Sequence, residues 1–292
     1  MPDRTNRIGR HLPTSGGLKK TLATIETLGC ETVQIFVSNP QGWADPTLRA
    51  DAEDFASGTV EAGIWPVVVH AKYLINLASP DPDHRERSAR TLARELVAAG
   101  EVGAHLVVVH SGSHGGEGEG VGMDRLVEGL DLARELAAGY AGASGRVAEP
   151  VVENSVGAGT QLCSTFDTLA EVARRAGARA CVDTCHAHAA GYDLSTPESA
   201  KAVGEELRGK MGDSVALIHL NDAKNGMGSH RDGHRRIGEG EIPRESLPGF
   251  FAALAGIPVV METPYGTPDV DLDQMRLVKE LAGGLPLAPN GV

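Results

Sequence analysis

The stretch His105-Leu106-Val107-Val108-Val109-His110 sets four apolar residues in a row, three of them β-branched, and stops on a histidine. A strand with one wet face alternates apolar and polar residues. An unbroken apolar run reads instead as a strand buried on both faces, as in a parallel sheet covered by helices. The same construction recurs along the chain. Trp65-Pro-Val-Val-Val ends on His70, Pro150-Val-Val on Glu153, Arg179-Ala-Cys-Val on Asp183, Val215-Ala-Leu-Ile on His219 and Ile257-Pro-Val-Val-Met on Glu262.

Eight strands are expected: Arg7–Leu12, Thr32–Val37, Trp65–His70, His105–His110, Pro150–Glu153, Ala178–Asp183, Val215–Leu220 and Ile257–Glu262. Helical patterns separate and follow them at Leu18–Leu28, Pro46–Glu61, Asp83–Ala99, Met123–Tyr140, Phe166–Ala176, Pro197–Met211, Arg244–Ala255 and Asp271–Leu281. Strand ends recur every 26 to 43 residues, and regular βα alternation implies a parallel sheet. Eight units predict closure into a (β/α)8 TIM barrel, an α/β fold. An open doubly wound sheet is the alternative. It would scatter the polar strand ends, whereas a barrel gathers them at one mouth. One domain, 1–292, is expected, with its core from about residue 7 to 284 and a flexible Pro/Gly-rich tail at 285–292. Ser111–Gly122 reads as a Gly-rich loop. Its Gly116–Gly120 run lacks the Lys-Ser/Thr of a phosphate-binding P-loop.

Composition narrows the function. The apolar runs reach about five or six residues, far short of a membrane span, and Met1–Arg10 is too polar for a signal segment. Cys30, Cys163, Cys181 and Cys185 show no knuckle spacing and no disulfide framework, so a reduced, cytoplasmic home is expected. A net charge of −12 argues against nucleic acid, which is bound by neutralising phosphates. Bound metal reverses that locally. Three divalent ions add six positive charges, two more than the four carboxylates at the strand ends and loops supply.

Five histidines and four carboxylates lie at or just beyond six successive strand ends: His70, His110, Glu153, Asp183, His186, His219, Asp232, His234 and Glu262. Each alone has a plain reading, a satisfied core histidine or, for Asp183, a helix cap. Together they predict one shared metal centre. Imidazole and carboxylate without organised thiolate suit zinc, manganese or iron. Nine ligands imply two or three ions, an arrangement that activates water and clamps a phosphate. His11 ends the first strand and is expected to face substrate or support a ligand. His114 and His188 flank ligand loops and are expected to support ligands from behind. His84 reads as helix surface, His105 as remote from the mouth, Cys181 and Cys185 as packing, and Gly157-Ala-Gly159 as a turn.

Three motifs carry a family likeness: His70-Ala-Lys-Tyr-Leu-Ile-Asn76, Val182-Asp-Thr-Cys-His-Ala187, and His219-Leu-Asn-Asp-Ala-Lys224 continuing through Asp232-Gly-His234 to Gly238-Glu-Gly240. From Ile8 to about Gly284 the chain resembles endonuclease IV, the zinc-dependent apurinic/apyrimidinic endonuclease (deoxyribonuclease IV) family of base-excision repair. The resemblance implies three Zn2+, with Mn2+ or Fe2+ as substitutes. His70, His110 and Glu153 would hold the first. Glu153 would bridge to the second, shared with Asp183, His219 and Glu262, and would position a nucleophilic hydroxide. His186, Asp232 and His234 would hold the third. It implies hydrolysis of double-stranded DNA 5′ to an abasic site, leaving 3′-hydroxyl and 5′-deoxyribose phosphate ends, and removal of 3′-blocking groups. It also implies a monomer without an obligate protein partner. By the same resemblance, His11, Asn39, Gln41 and Tyr73 are DNA-contact positions. Gln41 stands where many relatives carry an arginine, and Ala71-Lys72 replaces an acidic residue followed by serine.

Two other readings use the same residues. A sugar isomerase or epimerase on the related barrel would hold one or two Mn2+ or Mg2+ among carboxylate-rich ligands, and has no use for His186, Asp232 and His234. A non-catalytic metal-containing DNA-binding protein would bind damaged duplex without turnover.

Overall fold

The computed structural model describes residues 5–47, 49–141 and 145–283. The expected tail 285–292, the core limit at Gly284, and Leu48 of the expected second helix lie outside them. Strands β1 (Ile8–His11), β2 (Thr32–Ile35), β3 (Val67–His70), β4 (Leu106–His110), β5 (Glu149–Glu153), β6 (Arg179–Asp183), β7 (Val215–Leu220) and β10 (Val259–Met261) close into a barrel. Every neighbouring pair in it is parallel. The connection after β7 contains a small antiparallel ribbon, β8 (Asp222–Ala223) with β9 (His234–Arg235). The helices are α1 (Leu18–Leu28), α2 (Ala52–Glu61), α3 (Pro82–Glu101), α4 (Glu119–Tyr140), α5 (Phe166–Ala176), α6 (Thr184–Ala190), α7 (Pro197–Met211), α8 (Leu247–Ala253) and α9 (Pro268–Leu281).

The β-branched runs fill two layers. One face of each strand packs on the helices in the main core. The other face builds a separate cluster of Val68, Leu106, Val108, Val151, Cys181, Ala216, Leu217 and Val260. Ala216 apart, these lumen residues share strand parity with His70, His110, Glu153, Asp183, His219 and Glu262. Side chains alternate with period 2, so the six polar ends form the next layer of the same column. Register completes the alignment: His110 pairs with Glu153, His11 with Gln34, and Asp183 with His219. Strand β7 reaches the last pairing through a bulge. Ala180 pairs with Val215, but Cys181 pairs with Leu217, which leaves Ala216 as the extra residue and puts it in the lumen cluster beside Leu217. Bulges of this kind re-aim side chains near functional sites. On β1, Gly9 is required by close approach, since a Cβ there would lie 1.8 Å from the Thr32 carbonyl oxygen.

Several boundaries differ from expectation. Helix α2 begins at Ala52 rather than Pro46, because the Asp51 carboxylate accepts the Leu18 N–H at 2.7 Å and binds Arg49, organising the preceding segment as a cap for α1. Helix α4 starts at Glu119, so the Gly-rich loop ends at Gly118. The helix expected at Arg244–Ala255 splits into a 3-10 turn, Arg244–Ser246, and α8. The buried seven-residue α6 and the β8–β9 ribbon had no counterpart among the expected elements.

Candidate metal centre

The barrel mouth gathers nine donor residues into three adjoining groups. Within each group the donor atoms lie within 4.8 Å of one another: His70, His110 and Glu153; Glu153, Asp183, His219 and Glu262; His186, Asp232 and His234. Glu153 belongs to two of them. Its Oε1 is 2.8 Å from His219 Nδ1, and its Oε2 is 3.3 Å from His110 Nε2 and 3.6 Å from His70 Nε2. His234 Nε2 lies 3.3 Å from Asp232 Oδ1 and 3.7 Å from Asp183 Oδ2, and His186 Nε2 lies 3.5 Å from Asp232 Oδ1. The mouth opens at Asp232, whose side chain is 58% exposed, and at His110, 41% exposed, whereas Glu153 between them is 1% exposed.

Four of the five imidazoles are held from behind. His70 Nδ1 bonds the Ala71 carbonyl at 2.7 Å, and His186 Nδ1 the Asn154 carbonyl at 3.0 Å. His234 Nδ1 lies 3.4 Å from the Glu262 carbonyl. His219 Nε2 bonds the Gln34 side-chain oxygen at 2.8 Å. Such bonds set the tautomer and leave the other nitrogen's lone pair aimed at the centre. Asp183 both faces the centre and caps α6. Its Oδ1 accepts the His186 N–H at 2.9 Å, and its Oδ2 accepts from Asn221 at 2.6 Å. Asn154 in turn accepts the Asp183 N–H at 2.7 Å. Gln34, Asn154 and Asn221 were missed in the sequence. A glutamine inside the lumen-facing run of β2 was the one available signal.

Electrostatics favour a cation. Burial would lower the pKa of His186, but Asp183 and Asp232 outweigh it and push it up to about 10. Burial and Asp183 oppose each other in the same way at His234, which rises to about 9. Burial would raise Glu153, yet His219 and its other imidazole neighbours hold it well below the usual carboxylate range. Glu153 Oε2 and His234 Nε2 are buried without a hydrogen-bond partner. An unsatisfied buried acceptor is costly, and a divalent ion satisfies such groups together. The donor set, all nitrogen and oxygen, fits zinc or a similar ion. Cys181 and Cys185 are also near, but burial raises both thiols, Cys181 to about 12, as expected of packing residues rather than thiolates.

The groups line a cavity of about 630 Å³ with His11, Phe36, Tyr73 and Tyr265. His11 reaches the site: its Nδ1 accepts from Gln34 at 3.0 Å, and burial lowers its pKa to about 4, leaving a neutral ring. Tyr73, 52% exposed, stacks on His110 with ring centres 5.8 Å apart. Asn39 and Gln41 form a turn closed by Gln41 N–H to Asn39 Oδ1 at 3.0 Å. Two expectations fail. His114 touches no donor of the centre; its Nδ1 accepts from Gly116 and Gly118 and closes their turn. His188 faces Tyr192, Asp193 and Asp222 instead of the ligands, because α6 turns it to the far side from His186. His84 is not plain surface either: its Nε2 donates to the Leu74 carbonyl at 3.1 Å. Asp222 is a further organiser. It accepts N–H bonds from Gly238, Gly240 and Ile242, and a Cβ on Gly240 would lie 2.5 Å from its Oδ1.

Comparison with known proteins places this geometry. The family model described as a xylose isomerase-like TIM barrel matches residues 22–282. A protein from Haloarcula marismortui described as a probable endonuclease 4 is 34% identical over 286 residues, 95% of this chain and 99% of that one. The crystal structure of endonuclease IV from Thermus thermophilus superposes with a TM-score of 0.82 at 32% identity, covering 95% of this chain and 99% of that one. A D-tagatose 3-epimerase-like protein superposes at 0.71 with 18% identity, covering 95% and 97%, a likeness of fold alone.

Proposed function

Since the chain belongs to the endonuclease IV family, we propose that it is a metal-dependent endonuclease of base-excision repair, hydrolysing duplex DNA 5′ to abasic sites. The observation that carries this reading is the set of nine donors in three adjoining groups. An epimerase on the same fold has no need of His186, Asp232 and His234. Three Zn2+ are the proposed occupants, with Mn2+ or Fe2+ as substitutes. When bound, such ions lower the pKa of water and neutralise charge on a phosphate.

The chain's own residues supply the rest. Glu153 spans the first two groups and fixes their spacing. The second group and Glu153 lie away from bulk water, whereas the first group opens at His110, 41% exposed. The third opens at Asp232, 58% exposed, where an ion held by that group would meet a leaving 3′ oxygen. Tyr73 and the 38–43 turn stand beside the cavity, where a sugar without its base can enter at low cost. Exposed Lys224, Arg231 and Arg235 flank the Asp232–His234 segment and suit the phosphate backbone. The products are then 3′-hydroxyl and 5′-deoxyribose phosphate ends, and 3′-blocking groups are removed by the same attack. No helix among the described residues is long and apolar enough to cross a membrane. We read the protein as a cytoplasmic, single-domain monomer with no obligate partner.

The test is cleavage of a 5′-labelled duplex carrying one tetrahydrofuran abasic analogue, with metal content assayed on the same sample. A single cut 5′ to the lesion with three zinc per chain supports the reading. An intact duplex and about one metal per chain would redirect it to ketose and aldose substrates, and tight binding without a cut to a non-catalytic role.

A further inference from the structure

Lys72 is a buried lysine beside the mouth that does not reach it. Its side chain is 1% exposed, as is that of Glu95 on α3, and its Nζ lies 3.7 Å from Glu95 Oε1. The same Nζ donates to the Asn39 carbonyl at 3.0 Å. Ser38 Oγ donates to Glu95 Oε1 as well. One charge pair therefore holds three pieces of chain: the loop after β3, the turn after β2 and helix α3. The two loops also touch directly, through Tyr73 N–H to the Pro40 carbonyl at 3.1 Å. Helix α3 grips them again further out, where His84 bonds the Leu74 carbonyl and packs edge-on against Trp43, ring centres 5.5 Å apart.

The ammonium is thus committed inward and cannot serve as a phosphate contact. Burial presses the Glu95 carboxyl upward in pKa, against the Lys72 charge and the Ser38 bond, and Glu95 Oε2 lacks any hydrogen-bond partner. A buried pair of this kind is a poor way to gain stability, since apolar residues of similar volume often do as well. What it supplies here is geometry, because each hydrogen bond from the pair ends on a loop that carries Asn39 or Tyr73.

We propose that the Lys72–Glu95 pair is a positioning device: it locks the 38–43 turn to the loop after His70 and so fixes where Asn39 and Tyr73 stand relative to the metal groups. This rests on the reading of those loops as DNA-facing.

The experiment uses the full, zinc-loaded chain and compares Lys72→Met, Glu95→Gln and the double Lys72→Met/Glu95→Leu, in which the pair becomes apolar and no lone buried charge remains. A displaced edge should raise KM for an abasic duplex about tenfold, with kcat and zinc content unchanged, because losing contacts made equally in the ground and transition states moves KM alone. The double variant should fold and keep the raised KM. Added to Tyr73→Ala, Lys72→Met should contribute less than about twofold, since residues acting through one another are not additive. Loss of kcat in step with folded fraction, an unchanged KM in the double variant, or full multiplication on the Tyr73→Ala background would overturn the proposal. Anisotropy of a labelled abasic duplex reads the same displacement as a change in Kd. Wild-type protein that binds without cutting would sink the endonuclease reading, while the variant-to-wild-type Kd ratio still decides the positioning role.

Discussion

Gln34 and His219 stand on strands separated in the barrel by β1 and β10, yet the Gln34 side-chain oxygen lies 2.8 Å from His219 Nε2 across the lumen. The same amide donates to Glu262 and to His11. One neutral side chain thus fixes the ring of one proposed ligand and the carboxylate of another.

Replacing Gln34 with alanine should therefore weaken metal binding without removing any ligand. Losses of this type run to about 10–100-fold in metal affinity or activity. Competition against a chromophoric zinc chelator measures it. Affinity unchanged within about twofold would mean that the amide is only packing.

Glu153→Gln should be worse than Gln34→Ala. It removes the single charge shared by two groups, so both lose affinity, and the activity loss should exceed the roughly 100-fold ceiling of a supporting residue. Metal analysis alongside kinetics checks this. Three ions still bound, with near-normal rate, would contradict the bridging role.

Chelation should lower the melting temperature. Ions held only by the folded state stabilise by about 2.7 kcal/mol at a hundredfold excess over Kd, which in a domain of this size corresponds to roughly 5–10 °C. Scanning calorimetry with and without EDTA reads the shift directly. A melting temperature indifferent to EDTA and restored zinc would argue against resident metal.

Arg231→Ala and Arg235→Ala should weaken DNA binding evenly across sequences, and each should reduce the slope of log K against log salt by about 1. Titrations at several salt concentrations distinguish this from a folding defect, which would leave the slope intact.

Asp222→Ala should destabilise the segment 238–242, whose N–H groups converge on that carboxylate. A charged acceptor serving several amides predicts a loss of about 3 kcal/mol or more. Urea unfolding measures it; a loss below about half a kcal/mol would show that water replaces the carboxylate freely.

The barrel was legible because β-branched runs ended so regularly on metal-type side chains, and strand parity carried six of those residues to one face. The third trio lies beyond the strand ends, in α6 and in the connection after β7, where strand parity gives no orientation. Its geometry depends on α6, whose seven residues Thr184–Ala190 are buried on nearly every side and so show no amphipathic rhythm. Gln34 was overlooked because a polar residue in a strand reads by default as solvent-facing, although on a doubly buried strand it has to face the lumen. His114 and His188 were misassigned because nearness in sequence says nothing about which way a ring turns. One closes a glycine turn, and the other lies on the opposite side of its helix from His186.

The bulge at Ala216 gives one strand of this barrel slack that its neighbours lack. From Ala180 to Asp183 the chain advances three residues on β6, while the facing stretch of β7 advances four. Taking Ala216 out would leave an unbroken ladder in which Val215 still faces the helices and His219 still faces the lumen. Strand β5 has no such spare residue, since it runs opposite β4 without interruption from Glu149 to Glu153. Removing Val152 there would swing Glu153 away from the ions it is proposed to share, because a one-residue slip exchanges the two faces of a strand. A codon lost from β7 can therefore be absorbed, whereas the same loss in β5 strikes the centre itself. Tolerance to changes of length is thus unevenly spread round the mouth, with the spare residue two strands away from the bridging carboxylate.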